Sequence, residues 1–437
     1  MFASKHLPTF LLAGMLLTLA ASGAAPAPAI LLAPSLDEKI VLVRPTGDER
    51  EDRDILLWQN RIRGGEANLS SFERLGWAYV AKARRTLDAG YYKLAEKTAD
   101  VMDARFGLSD EALLLRGHVD HNLHRFAAAE TAARELVARR GLAFDYALLS
   151  DALMEQGKLS DSVAACEKMM SLKPGLEAYS RAANLRWLTG DLPGAIQAME
   201  AAVRAGSPLE PANNAWTLSR LSAYYLQAGR TADALGAAEM AARALPDYPP
   251  ALLARGRALL ARGQTGAAVS PLARAEALNP LPEYQWWLAD ALRAAGQPAA
   301  AAKVESELAR RGEAADPRTY SLWLATRGEQ APAAVLLARA ELTNRADVFT
   351  EDALAWSLAA SGDYAAAQSA MQAALAAKTQ DARLFLHAGE IARACGHAAA
   401  AKGYFDSAEP CAGSLTPSER ALLERRRQAA DTVATSG

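Results

Sequence analysis

The sequence predicts an all-α fold, a right-handed α–α superhelix of about ten helix–turn–helix units, and three observations predict it. Glycines recur at Gly90, Gly157, Gly190, Gly229, Gly263, Gly296, Gly328, Gly362 and Gly396, with His124 in the slot between the first two. The successive gaps from residue 90 are 34, 33, 33, 39, 34, 33, 32, 34 and 34 residues. An apolar helical segment precedes each marker, and an alanine-rich one follows it. Self-similarity of this period marks stacked supersecondary units, each packing on its neighbours, so a long chain lengthens its core without thickening it.

The chain opens on an expected signal peptide over residues 1–24. Lys5 supplies a positive flank, Leu7 to Ala21 is apolar, and Ser22-Gly23-Ala24 offers a small-x-small cleavage site. The compact run Phe10–Ala21 is too short to span a membrane, and Pro26 and Pro28 follow it. The mature chain is therefore expected to be exported, periplasmic or secreted, without a transmembrane segment.

Residues 25–66 are expected to form a connector and cap. Pro26, Pro28 and Pro34 break its start, Ile40–Val43 reads as a short strand or extended piece, and Asp48–Asp54 reads as a solvated charge run. Ile55-Leu56-Leu57-Trp58 begins an apolar stripe that covers the first repeat, as a solenoid end requires.

Residues 67–410 are the predicted solenoid. In its third unit Tyr146, Leu149 and Leu153 share one helix face, Gly157 caps that helix, and Ala164-Ala165 opens the second, which Lys173-Pro174 ends. The next unit repeats this with Leu185, Trp187, Gly190, Ala195, Met199 and Ala202. Two insertions interrupt the period. Seven extra residues within Val80–Ala89 lengthen the first helix by about two turns, and about five extra residues around Ser207–Asn214 read as a loop. Residues 411–437 should form a capping helix over Ser418–Gln428 that frays afterwards, with Arg425-Arg426-Arg427 as a solvated face.

These units resemble the tetratricopeptide repeat. Its pattern of Leu-Gly, Tyr, Gly-x-Tyr, Ala, a large apolar residue and Pro appears as Phe72, Leu75-Gly76, Tyr79, Gly90, Tyr92 and Ala95 in the first unit. Leu354, Leu358, Gly362, Tyr364, Ala367 and Met371 carry it in the ninth, and Gly256, Leu259, Gly263, Ala267, Leu278 and Pro280 in the sixth. Arg255 departs from it, standing where Leu is expected. The resemblance covers nearly 80% of the chain, 342 of 437 residues. The long first unit, Tyr179-Ser180-Arg181 and Asp352–Trp356 are similar to a large group of bacterial exported members, which brings a fold and no defined activity.

The resemblance implies a concave groove lined by the first helix of each pair. Counting back from each turn glycine puts Asp151, Asn184, Trp187, Trp216 and Arg257 on that stripe. Trp286, Asp290, Arg293, Trp356, Glu390 and Arg393 continue it, and His118 and His121 fall on it too. Tryptophan and arginine dominate binding hot spots, although each tryptophan has core packing as its simpler role. The mixed charges point to a protein or peptide partner, and the implied function is a non-catalytic scaffold for protein–protein interaction.

Other chemistry is sparse. A net charge of −2 on 437 residues gives no basic footprint for nucleic acid. No phosphate-binding loop, nucleophile elbow or metalloprotease motif occurs, and no cofactor is implied. Of three cysteines, Cys166 reads as core, while Cys395 and Cys411 lie a helix length apart, beyond disulfide reach. The alternative function is metal or small-ligand binding by His118, His121 and His124, clustered with Asp120 in His-x-Asp-His-x-x-His.

Overall fold

Alternation of apolar and alanine-rich segments is realised as helix after helix. The computed structural model describes residues 35–435. The expected signal peptide and Pro26, Pro28 and Pro34 lie outside them. Among the described residues there are twenty-three α-helices, one 3-10 segment and no strand.

Two helices precede the repeats, α1 (Leu36–Val41) and α2 (Arg50–Arg63). Ten pairs follow. The first four are α3 (Leu69–Thr86) with α4 (Gly90–Phe106), α5 (Asp110–Asn122) with α6 (Phe126–Arg139), α7 (Ala143–Glu155) with α8 (Leu159–Leu172), and α9 (Leu176–Leu188) with α10 (Leu192–Arg204). The next three are α11 (Pro211–Gln227) with α12 (Thr231–Ala244), α13 (Pro249–Ala261) with α14 (Thr265–Leu278), and α15 (Pro282–Ala294) with α16 (Pro298–Ala315). The last three are α17 (Pro317–Arg327) with α18 (Ala331–Leu342), α19 (Val348–Ala360) with α20 (Tyr364–Leu375), and α21 (Ala382–Ala394) with α22 (Ala398–Ala408). A 3-10 segment, Glu409–Ser414, leads to α23 (Pro417–Thr435). The fold is an all-α superhelical repeat.

The fourth pair shows why the units form. Ala183, Leu185, Trp187 and Leu188 of α9 are buried, and Gly190 then takes the left-handed conformation (φ 91°) that turns the chain back. Asp191 caps α10 by accepting a 2.9 Å hydrogen bond from the Gly194 amide, and Ala195, Met199 and Ala202 let α10 lie close to α9. In the second pair His124 holds φ 59°, standing in for the turn glycine.

Several local expectations are corrected. Ile40–Val43 is no strand; Val41 ends α1 and is fully buried, where the Gln59 amide and the Tyr79 hydroxyl both donate to its carbonyl. The Asp48–Asp54 charge run is not all solvated, because it starts α2 and buries Asp52, whose carboxylate accepts from Lys82 Nζ at 2.8 Å. The extra residues of the first unit do lengthen α3, but Leu87 (φ 59°) makes the turn and Gly90 starts α4. Of the expected loop Ser207–Asn214, the last four residues are helical and begin α11. The final helix runs to Thr435, and its arginines are not simply solvated: Arg426 pairs with Glu390 at 2.6 Å and Arg427 with Glu409 at 3.1 Å.

The repeats do not contact only their sequence neighbours. Curvature brings the last three pairs against the middle ones. Trp187 Nε1 donates to the Gln380 carbonyl at 3.0 Å, and Thr379 Oγ1 donates to the Leu188 carbonyl at 2.6 Å, partners 193 and 191 residues apart. Arg345 pairs with Glu155 at 2.6 Å, and Asn344 donates to the His124 carbonyl at 2.9 Å. At Gly157, Gly190 and Gly229 an added Cβ would stand 2.2, 2.8 and 2.7 Å from the carbonyl oxygens of Ala346, Lys378 and Pro410. Glycine is required at those three turns by close approach as well as by φ.

Candidate functional site

The predicted stripe lies on the first helices of the pairs, and the structure sorts it into two parts. In one, the chain covers its own anchors. Trp187 and Trp286 are buried, Trp187 between Tyr224 and Phe349 at ring distances of 5.5 and 5.3 Å, and Trp286 beneath the Arg383 guanidinium at 4.8 Å. Asp290 is buried at the start of α23, accepting from the Ser418 amide at 3.1 Å and its hydroxyl at 2.5 Å. Glu390 is buried, accepting from Arg426 and from Arg393, the latter at 3.1 Å. Trp356 stacks on His387 at 4.2 Å and donates to Thr326 Oγ1 at 3.0 Å. Arg293, on the exposed side, pairs with Glu305. The physical reason that this part of the stripe is not open is the packing of the C-terminal pairs over it.

The other part faces a cleft between α11, α13 and α15. Its volume is about 210 Å³, and Trp216, Arg220, Arg257, Glu283 and Tyr284 line it with Leu253. Trp216 is 41% exposed, the one stripe tryptophan that presents its ring at the surface. Arg220 lies over Trp187 and Tyr224 and donates to Asn184 Oδ1 at 3.2 Å. Arg257 lies 4.8 Å above Trp287, 3.8 Å from the Glu283 carboxylate and 3.4 Å from the Ser414 carbonyl, while its Nε has no partner among the described residues. Burial lowers the pKa of this guanidinium despite Glu283, so an additional carboxylate would be well received there. Asp151 lies further along, engaged by Arg181 in two hydrogen bonds of 2.8 and 2.6 Å.

Sequence reasoning missed Arg181 and Arg220, although each stands nine residues before its turn glycine. That is one helical turn before the positions six residues from the glycine, and the repetition was the available signal.

Each histidine ring has its partners within the fold. His118 Nε2 accepts from Arg84 at 2.8 Å and from Asn122 at 3.2 Å, with Trp77 5.3 Å away. His121 and His124 both turn to Phe126, edge-on at 5.4 Å and stacked at 5.5 Å. Among the described residues no group of three or more His, Cys, Asp or Glu is arranged to hold a metal. A ring nitrogen accepting from two donors must be unprotonated, in keeping with burial, which holds the His118 pKa well below 6.5 and lowers that of His121.

The consequence for stability has a definite sign. Below pH 6.5 the unfolded chain takes up protons that the folded one refuses, so stability falls on acidification, by up to about 1.4 kcal/mol per pH unit for each such group. Urea titrations of wild type and His118→Gln across this range should show a shallower pH slope in the variant; equal slopes would exclude His118 as a contributor.

A tetratricopeptide repeat family model matches residues 180–249 and 253–317. None of the curated proteins matches the chain. Solved structures similar to it include MamA protein, 19% identical over 39% of this chain and 92% of that one, with a TM-score of 0.31. The APC/C hetero-tetramer Cut9–Hcn1 is 13% identical over 89% of this chain and 98% of that one, at 0.36. The human IFIT1 dimer with PPP-AAAA is 13% identical over 87% of this chain and 95% of that one, at 0.46.

Proposed function

We propose, taking this chain as a tetratricopeptide-repeat protein, that it is a non-catalytic scaffold that captures an extended polypeptide segment in the cleft between α11 and α15. The observation that carries the reading is Trp216, a large aromatic left exposed beside two guanidiniums where Trp187 and Trp286 are buried. A segment pairing an acidic with an apolar side chain fits: the apolar group against Trp216, the carboxylate toward Arg220 and Arg257. The N-terminal Lys5, the apolar run and Ser22-Gly23-Ala24 support export to the periplasm or beyond.

Peptide-array binding tests this. Acidic–apolar segments should be retained, and Trp216→Ala should weaken them about tenfold to a hundredfold, the scale of a hot-spot aromatic. Equal binding by Trp216→Ala, or selection of basic segments, would overturn the cleft as the capture site.

A further inference from the structure

Arginines on the first helices of other pairs are saturated by carboxylates of the chain itself. Arg181 on α9 gives two bonds to Asp151, of 2.8 and 2.6 Å, and Arg383 on α21 gives two to Glu419, of 2.7 and 3.1 Å. Arg257 on α13 is the exception. Its bond to the Ser414 carbonyl is long at 3.4 Å, its approach to Glu283 stops at 3.8 Å, and its buried Nε has no partner among the described residues. A guanidinium holds five N–H donors in a planar fork that matches a carboxylate in two parallel bonds. Among the described residues no carboxylate pairs with Arg257 in that way.

Glu283 is the one carboxylate among the residues that line the cleft. It belongs to the first turn of α15, where the amide end of the helix favours a negative charge, and its side chain is 48% exposed. The hydroxyls of Ser219 and Ser222, on the same walls, already donate to the Ala215 and Ala234 carbonyls at 2.6 and 2.8 Å. The charged groups that meet a guest are therefore Arg220, Arg257 and Glu283. When the guest's carboxylate takes Arg257, it comes to stand beside Glu283, and two like charges then share one cation. Such a juxtaposition discriminates between partners more than it adds affinity. A cation carried by the guest next to its acid relieves the repulsion, with Glu283 as its counter-charge.

Resting on the capture reading above, we infer that Glu283 sets the specificity of the cleft: the segment it takes carries a lysine or arginine beside its acidic residue, so that the acid meets Arg257 while the base meets Glu283. The occupant is thus a polypeptide segment of mixed charge with an apolar residue for Trp216. A run of acidic residues is disfavoured.

Calorimetric titration of the full chain with capped heptapeptides tests this. Each peptide has an alanine–serine background and carries one leucine and one aspartate, at the spacing that wild type retains best, with Lys, Ala or Glu beside the aspartate. Wild type should bind the Lys peptide about tenfold more tightly than the Glu peptide, the scale of a half-exposed charge pair, with the Ala peptide between them. Glu283→Gln should level the three, and Glu283→Lys should reverse their order; circular dichroism verifies that both variants are folded. A wild type that binds all three peptides alike overturns the inference and leaves the cleft standing as the capture site. A preference for Lys that persists in Glu283→Gln overturns it equally. Peptides that bind Trp216→Ala as they bind wild type, or that bind neither, overturn capture in the cleft itself, and the inference falls with it.

Discussion

Gly157→Ala should melt this chain at a distinctly lower temperature than Gly263→Ala, although both replace a turn glycine with positive φ, 72° and 73°. The shared cost is the left-handed conformation, about 1–2 kcal/mol for an L-residue. At Gly263 the new methyl enters open space. At Gly157 it would sit 2.2 Å from the Ala346 carbonyl oxygen, so the backbone of the α18–α19 connection must move. Forcing a methyl into packed structure adds about 1–3 kcal/mol. The displaced segment carries Asn344 and Arg345, so their contacts with His124 and Glu155 should loosen together. Thermal unfolding of the two variants checks the difference, and amide exchange across 344–347 checks its location. Equal melting temperatures would mean that this contact between distant repeats contributes nothing.

Glu419→Gln should be the second severe variant. The Glu419 carboxylate is nearly fully buried and accepts from Arg383 at 2.7 and 3.1 Å, while the same guanidinium covers Trp286. Removing the carboxylate leaves a largely buried cation without its counter-charge, which costs about 3–5 kcal/mol. Replacing both partners together, Arg383→Met with Glu419→Leu, should recover much of that loss, because an apolar pair needs no compensation. Chemical denaturation of the single and double variants separates the two outcomes. A single variant as stable as wild type would show the pair to be unimportant. The pair also has a pH signature. Burial opposes the Glu419 charge, but Arg383 outweighs it and holds the pKa below the ordinary 4.5. The stabilisation is thus present above pH 4.5 and disappears as the pH falls through the depressed value.

The architecture was legible because each unit writes its own pattern. Gly190, Asp191 and Ala195 specify a turn, a cap and a close helix pair within a few residues of one another, and the pattern recurs along the chain. His124 could be placed in a glycine slot from its position alone. The covered part of the stripe was not legible, for the opposite reason. Trp187 and Asp290 stand where an isolated repeat would face a groove, and only the accumulated rotation of several repeats brings Gln380 and Ser418 onto them; Glu390 is covered by Arg426 of the terminal helix α23. A small rotation per unit leaves no local trace. The reading of Ile40–Val43 as a short strand or extended piece failed similarly: Val41 ends α1, and the partners of its carbonyl, Gln59 and Tyr79, come from other helices.

The bond from Trp187 to Gln380 also bears on how the chain matures during synthesis. Its partners are 193 residues apart, and at about 5–20 residues per second the ribosome delivers the second roughly 10–40 s after the first. Throughout that interval the indole and its apolar neighbours are complete in sequence yet still wet. A chaperone that shields this newly emerged face until the ninth connection arrives would act on the step most exposed to misassembly.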